Sequence, residues 1–328
     1  MNKINRIDAI IKTYELNDKY EQVCKAEPDT KIQLEQIENN YTGSSRSYSE
    51  KCKATAQQLL MSILNDESLK EIHSARYRIK SLDSLITKYI KKKAILSSKP
   101  TSDYNIEKYR EMNKDNYHKI ITDLIGIRIL IRYQQQWEMV HNWIWDNFYH
   151  DGKYISNWLN DYPNDSTQDF MAERPKLYLR KQSDLPMYEK IGKGIFDYSI
   201  SDEGYSSIHY LLWYNGKYVE IQVRTIYDEA WGECTHDLVY KCKNKSKKAE
   251  LEMLSACLAT QTQAASMIAD IMFEKSYNNK QIIGGTDATV NDTDFSSSKY
   301  DDFHKHLCNM KKNDHREEYN GVIDDGLF

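Results

Sequence analysis

Apolar residues recur at helical spacing through the first part of the chain. Ile7, Ile10, Ile11 and Tyr14 form one stripe, and Ala54, Leu59, Leu60, Ile63 and Leu64 form another. The polar run Tyr41-Thr-Gly-Ser-Ser-Arg-Ser47 breaks the two. A helical N-terminal region, residues 1–69, is therefore expected. The pattern then alternates over Ile72 to Lys80, the mark of a strand. Helices are expected over about 81–93 and, after Lys99-Pro100-Thr101-Ser102, about 103–117. LIGIRILIRY, residues 124–133, is a β-branched strand, and a tryptophan-rich helix follows over about 134–149. Residues 150–194 show no period and are rich in Asp, Asn and Pro, as in an insertion or a mobile lid. Strands follow at about 195–201, 206–214 and 217–224. The last two are joined by Tyr214-Asn215-Gly216-Lys217, whose Asn-Gly pair suits a type I′ turn. Helices are expected over 226–241 and 246–276, closing a domain at 70–241 and forming a C-terminal helical segment at 242–278. The tail, 279–328, is polar and turn-rich, with the composition of a disordered segment from Gly284 to about 299. This element order predicts one mixed α/β (α+β) sheet flanked by helices, with helical extensions at both ends.

Composition narrows the classes. With 328 residues the chain can bury a sizeable core. Mean hydropathy is −0.76, and no apolar run approaches the roughly 20 residues that span a bilayer. The N-terminal stretch lacks a signal peptide's apolar segment, so a cytoplasmic protein with no membrane partner is expected. The six cysteines include no CxxC pair and read as reduced thiols; Cys234 and Cys242, with only His236 between, make a poor zinc site. A net charge of −4 provides no global attraction for nucleic acid, which leaves the local basic clusters to be explained.

Those clusters are best read by strand and helix faces. Arg76, Arg78 and Lys80 share one face of their strand, and Ser84, Lys88, Lys91 and Lys92 share a stripe of the next helix. Such a group suits a polyphosphate, although a solvated basic face has the same pattern. In ITDLIGIRIL, Ile125, Ile127, Ile129 and Ile131 point to a core, Gly126 and Arg128 point the other way, and Asp123 stands at the strand's start. Asp123 taken alone is more often a turn residue than a ligand. In VEIQVRT, Val219, Ile221 and Val223 fill the core while Glu220, Gln222 and Arg224 line the opposite face, which must be wet or a site. The hairpin sets Ser207 and His209 beside them. Asp123 and Glu220 could hold one metal ion with cations opposite, the arrangement that phosphoryl or pyrophosphoryl transfer needs.

The stretches ARYRIKSLDSLITKYI, ITDLIGIRIL, GYSSIH and VEIQVRT…AWGECTHDLVYK, in this order over residues 70–241, resemble the synthetase domain of the RelA/SpoT alarmone synthetases. The resemblance implies a nucleotidyltransferase-like fold and transfer of the β,γ-pyrophosphate of ATP to the 3′-hydroxyl of GDP or GTP, giving ppGpp or pppGpp. By motif, it implies that Arg78, Lys80, Ser84 and Lys88 bind the ATP phosphates and that Arg128 contacts ATP. Asp123 and Glu220 would hold Mg²⁺, with Glu220 also the base. Tyr205 would stack on the acceptor base, and His209 and Gln222 would position the acceptor. No HDxxED hydrolase motif precedes these stretches, so the chain resembles a small, synthetase-only member, in which helical flanks make homo-oligomer contacts. One departure matters. Where many guanosine-specific members read Lys-Pro-Asn-Gly-Tyr-Arg-Ser, this chain has Ser201-Asp202-Glu203-Gly204-Tyr205-Ser206-Ser207. Two alternatives stay open: a toxic member acting on the tRNA 3′ end or on an adenosine nucleotide, with an antitoxin partner, and a catalytically dead nucleotide-binding sensor.

Overall fold

The computed structural model describes residues 5–98, 107–150, 168–180, 185, 188, 196–201, 206–240, 242 and 244–284. The chain divides into two units, Met1–Ile271 and Met272–Phe328; the sheet and the candidate site belong to the first. The expected disorder after Gly284 lies outside the described residues.

The N-terminal region is helical, as the periodicity predicts: α1 (Arg6–Thr13), α2 (Asn17–Ala26), α3 (Thr30–Thr42) and α4 (Tyr48–Asn65). Asn5 caps α1 by accepting the Ile7 N–H on its side-chain oxygen at 3.0 Å. The buried stripes are narrower than expected. Ile7, Ile10 and Ile11 are buried and Tyr14 is exposed; on α4, Cys52, Thr55, Ala56, Leu59 and Ile63 face inward, whereas Ala54 and Leu64 face solvent. The error is one of phase, since neighbouring apolar residues on a helix point in different directions and only packing selects the buried set.

The sheet contains β1 (Ser74–Ile79), β2 (Ile125–Ile131), β3 (Phe170–Met171), β4 (Lys176–Leu179), β5 (Asp197–Ile200), β6 (Ser207–Tyr214) and β7 (Lys217–Thr225). Its order is β1-β2-β7-β6-β4-β5, with β3 also pairing β6. The β2–β7 and β4–β5 pairs are parallel and the rest antiparallel, so the sheet is mixed. Asn215 and Gly216 join β6 to β7 with φ of 47° and 71°, the left-handed values that the Asn-Gly pair predicts.

Two expectations need correction. Residues 150–194 are not wholly an irregular insertion or lid, because β3 and β4 come from them and β4 is wedged between β6 and β5. The four-residue alternation Lys-Leu-Tyr-Leu was too short to stand out. Of the helix expected over 103–117, residues 103–106 lie outside the described residues; Glu107 is helical, but turns then lead to α6 (Tyr117–Ile120), so the helix does not run through to 117. Asn116 Oδ1 accepts the Asn113 N–H at 2.7 Å, and Asn113 Oδ1 accepts the Asp115 N–H at 2.8 Å; such local bonds compete with helix.

Helices α5 (Leu82–Ser98) and α7 (Trp137–Phe148) and the inward face of α4 bury their apolar residues in one cluster with Ile125, Ile127, Ile129, Val219, Ile221 and Val223. Burial of each such side chain contributes roughly 1.5–3 kcal/mol. Helix α8 (Ile226–Thr235) starts directly after β7, capped by Thr225, whose Oγ1 accepts the Asp228 N–H at 3.1 Å. A π-helical turn, His236–Tyr240, and the long α9 (Lys245–Gly284) follow. Among the described residues no helix is long and apolar enough to cross a membrane.

Candidate active site

The register sets the charged side chains in rows across one face of the sheet. Arg78, Gly126, Glu220 and Leu211 form one row, and Arg76, Arg128, Gln222, His209 and Lys176 form the next. Residues directly opposite one another project to the same side, so the period-two reading of β1, β2 and β7 meets in a single surface. Gly126 keeps that surface open between Arg78 and Glu220. A Cβ there would meet only the Arg78 carbonyl oxygen, at an ordinary 3.9 Å.

Asp123 lies just before β2 and gathers cations from two elements. Its Oδ2 accepts from Lys80 Nζ at 2.7 Å and from Lys88 Nζ at 3.1 Å. Its Oδ1 is buried and has no partner. Burial works to raise the Asp123 pKa, but Lys88 and Lys80 outweigh it and hold the carboxyl below the usual range. Burial lowers the Lys80 pKa and repulsion from Lys88 and Arg78 adds to this, while Asp123 offsets part of the shift. Arg78 is lowered by burial against the opposing pull of Asp123. Ser84 sits in the first turn of α5, where Ser81 Oγ accepts its N–H at 3.1 Å and donates to its Oγ at 2.9 Å. Lys80 and Lys88, two of the cations singled out from sequence, thus meet on one carboxylate.

Glu220 is held from the other side. His209 Nδ1 lies 3.2 Å from its Oε1, and Gln222 Nε2 donates to its Oε2 at 2.8 Å. Arg224 in turn donates to Gln222 Oε1 at 2.6 Å, which fixes the amide orientation. Burial pushes the Glu220 pKa up and the Asp123 charge adds to that, yet the contacts from His209 and Gln222 prevail and lower it. Glu220 is therefore ionised at neutral pH and close enough to Asp123 to sense its charge. His209 Nε2 is buried without a partner.

Arg128 is placed differently. Its guanidinium pairs with Glu229 of α8, as does that of Arg76, which also pairs with Glu233. Arg224 Nη1 lies 3.6 Å from the second Glu229 oxygen. Burial, then repulsion from Arg224, lowers the Arg128 pKa to about 10. This clamp between the sheet and α8 escaped the sequence reading, because no spacing rule joins Arg76 to residues so distant in the chain. Lys176 and Tyr178 of β4 were also missed; the Tyr178 and His209 rings lie 4.8 Å apart. Tyr205, the expected stacking platform, lies outside the described residues.

Among the described residues no group of three or more His, Cys, Asp or Glu is arranged to hold a metal ion. Mg²⁺ does not require one, since it is commonly held by one or two carboxylates together with substrate phosphates. The unpartnered Asp123 Oδ1 and the ionised Glu220 fit such an ion.

The family model described as "Region found in RelA / SpoT proteins" matches residues 77–245. No curated protein matches the chain. Among solved structures, it is similar to the small alarmone synthetase 1 from Bacillus subtilis at 16% identity, covering 69% of this chain and 96% of that one with a TM-score of 0.40. A second structure of that synthetase, bound to its product pppGpp, matches at 16% identity over 72% and 96% of the two chains, TM-score 0.36. A GTP pyrophosphokinase family protein from Streptococcus pneumoniae matches at 17% identity over 74% and 95%, TM-score 0.36. The matched region takes in just over half of the 328 residues, from β1 to the start of α9, and includes the cation group, Asp123 and Glu220: the chain belongs to the RelA/SpoT family.

Proposed function

We propose that the protein is a Mg²⁺-dependent pyrophosphokinase that transfers the β,γ-pyrophosphoryl group of ATP to the 3′-hydroxyl of GDP or GTP, making ppGpp or pppGpp. The observation that carries this reading is Glu220, an ionised carboxylate held by His209 and Gln222 beside an open glycine row, with the Asp123 cation group on its far side.

In this reaction the acceptor 3′-oxygen forms a bond to the β-phosphorus of ATP. The bond from that phosphorus to the α,β-bridging oxygen breaks, and AMP leaves. Glu220 takes the 3′-hydroxyl proton. Arg78, Lys80 and Lys88 bind the triphosphate and offset the charge that develops on it, which is most of what such a transfer demands of a protein. Ser84 supplies a hydroxyl in the first turn of α5, where N–H groups also favour anions. Asp123 Oδ1 and Glu220 would hold Mg²⁺, which supplies charge neutralisation at the transferred phosphates. His209 and Gln222 keep Glu220 in place, and the unpartnered His209 Nε2 is available to the acceptor. Tyr205 is assigned to the acceptor base.

The test is to incubate the protein with labelled ATP, Mg²⁺ and, in turn, GDP, GTP, AMP, ATP or tRNA. Label on GDP or GTP with release of AMP is expected. Label on tRNA or on an adenosine nucleotide alone would move the reading to another acceptor. No transfer to any acceptor would leave a nucleotide-binding sensor. Tyr205→Ala is expected to weaken acceptor binding by about 1–3 kcal/mol while sparing ATP.

A further inference from the structure

The departure at 201–207 puts serines where the resembling members have basic residues, and Ser206 is engaged within the protein. Its N–H donates to Asp228 Oδ1 at 3.0 Å and its hydroxyl donates to the Tyr178 carbonyl at 3.3 Å. The strand wedged beside it brings a different cation. In the β4–β6 register Lys176 stands opposite His209, and His209 holds Glu220. Lys176 thus lies on the Glu220 face of the sheet, on the opposite flank from Arg78, Lys80 and Lys88. Its side chain is 42% exposed, within reach of a ligand in solution. Burial lowers the Lys176 pKa, but Glu173, then Tyr178 and Glu220, raise it overall, so the charge of Glu220 extends to this lysine.

We infer that Lys176 of β4 is a specificity-determining residue of the acceptor side, binding the 5′-phosphates of a nucleotide acceptor. The inference rests on the pyrophosphokinase reading and sharpens it: the acceptor is a free nucleotide with 5′-phosphates, not the 3′ end of a nucleic acid. A transfer reaction has two anionic substrates. The cations of β1 and α5 form one group, and Lys176 is separated from them by β2, β7 and β6. Tyr178, two residues along the same face, packs its ring on His209 and adds an aromatic wall.

Acidic neighbours set the strength of the site. Glu173 Oε1 accepts from Lys176 Nζ at 2.9 Å, and Asp197 of β5, opposite Lys176 in the register, is paired with Arg174 Nε at 3.0 Å. Glu173 is the resident counter-ion that an incoming phosphate displaces. Removing the lysine and removing its counter-ion must therefore act in opposite directions, which a purely structural ion pair would not do.

The experiment measures GDP and guanosine binding by calorimetry with Mg²⁺ and the donor site filled by a non-hydrolysable ATP analogue. GDP is expected to bind more tightly than guanosine. Lys176→Ala should weaken GDP roughly tenfold, the value of one charge-assisted contact, and leave guanosine and the ATP analogue unchanged. Glu173→Gln should tighten GDP about two- to threefold, as expected when a partly exposed competing pair is removed. Equal losses for GDP and guanosine, unchanged GDP affinity in Lys176→Ala, or no GDP binding at all would each overturn the inference. Whether the label of ATP reaches GDP is scored separately in the wild-type protein. Lys176-dependent GDP binding without transfer would sink the reaction and keep the subsite, whereas transfer to GDP unaffected by Lys176→Ala would do the reverse.

Discussion

At the α8 end of the charged face, Glu229 and Glu233 meet Arg76, Arg128 and Arg224; toward the start of β2, Asp123 meets Lys80 and Lys88 with Arg78 nearby. Both groups are built on β1 and β2. In the first, three arginines meet two carboxylates: Arg76 and Arg128 pair with one oxygen of Glu229, and its other oxygen, buried without a hydrogen bond, lies 3.6 Å from Arg224 Nη1. In the second, two ammonium groups share one oxygen and the other oxygen of Asp123 is buried bare. Charges that close on one another hold elements together. Where several cations converge on a single carboxylate, a ligand that brings phosphate and metal can complete the charge balance. Arg128 shows how close the two roles lie, since the resemblance places it at ATP and the structure pairs it with Glu229.

The comparison can be broken most decisively at Glu220. Glu220→Gln is expected to lower turnover by roughly 10²- to 10⁴-fold, the contribution of a positioned base, with ATP binding retained. Single-turnover kinetics beside ATP titration checks this, and full activity would remove Glu220 from the chemistry. Asp123→Asn comes next. It should raise the Mg²⁺ concentration needed for half-maximal activity, and it should cost about 3 kcal/mol of stability, because Lys80 and Lys88 then lose their charged partner in a buried setting. Chelation of Mg²⁺ should stop transfer in the parent protein; transfer in excess chelator would rule out the metal.

Glu229→Gln tests the closed group. A loss of about 3 kcal/mol in denaturant melts is expected, with the ATP KM nearly unchanged. An unaltered melt, or a large rise in KM, would dissolve the distinction between the two groups. Arg128→Lys, which keeps the charge and loses the fork, sharpens the boundary. A smaller loss of stability together with a modest rise in ATP KM is expected; a KM that does not move assigns Arg128 to the clamp alone.

The smallest effect concerns two imidazoles that belong to neither group. Burial, with help from Lys119 at His118, lowers His118 and His141 from 6.5 to about 4. The unfolded chain binds more protons between these values, so stability is fully present above about 6.5 and declines as pH falls toward 4. His141 Nδ1 lies 3.0 Å from the Tyr210 hydroxyl. His141→Gln should flatten the pH slope of the melting curves, and an unchanged slope would remove His141 from this linkage.

Much of the site was readable where one strand or one helix carries the information. The alternations in VEIQVRT and LIGIRIL separated the core from the charged face because period two is rigid along a strand. The same rule failed at Lys176-Leu-Tyr-Leu, where four residues gave too little signal inside a polar stretch. Helical stripes were readable in kind but not in phase, as exposed Tyr14 and Leu64 show.

By itself, the sequence determined most of the helices and the strands outside residues 150–194, which face of β1, β2 and β7 carries charge, the Asn-Gly turn, and the RelA/SpoT membership carried by its ordered motifs. These depend on local geometry and on residue order. Only the tertiary structure decided that Asp123 gathers Lys80 and Lys88, that Arg76 and Arg128 close on Glu229, and that β4 enters the sheet to bring Lys176 beside His209. The physical reason is that ion pairing and strand order depend on distances between residues far apart along the chain, which no local periodicity encodes.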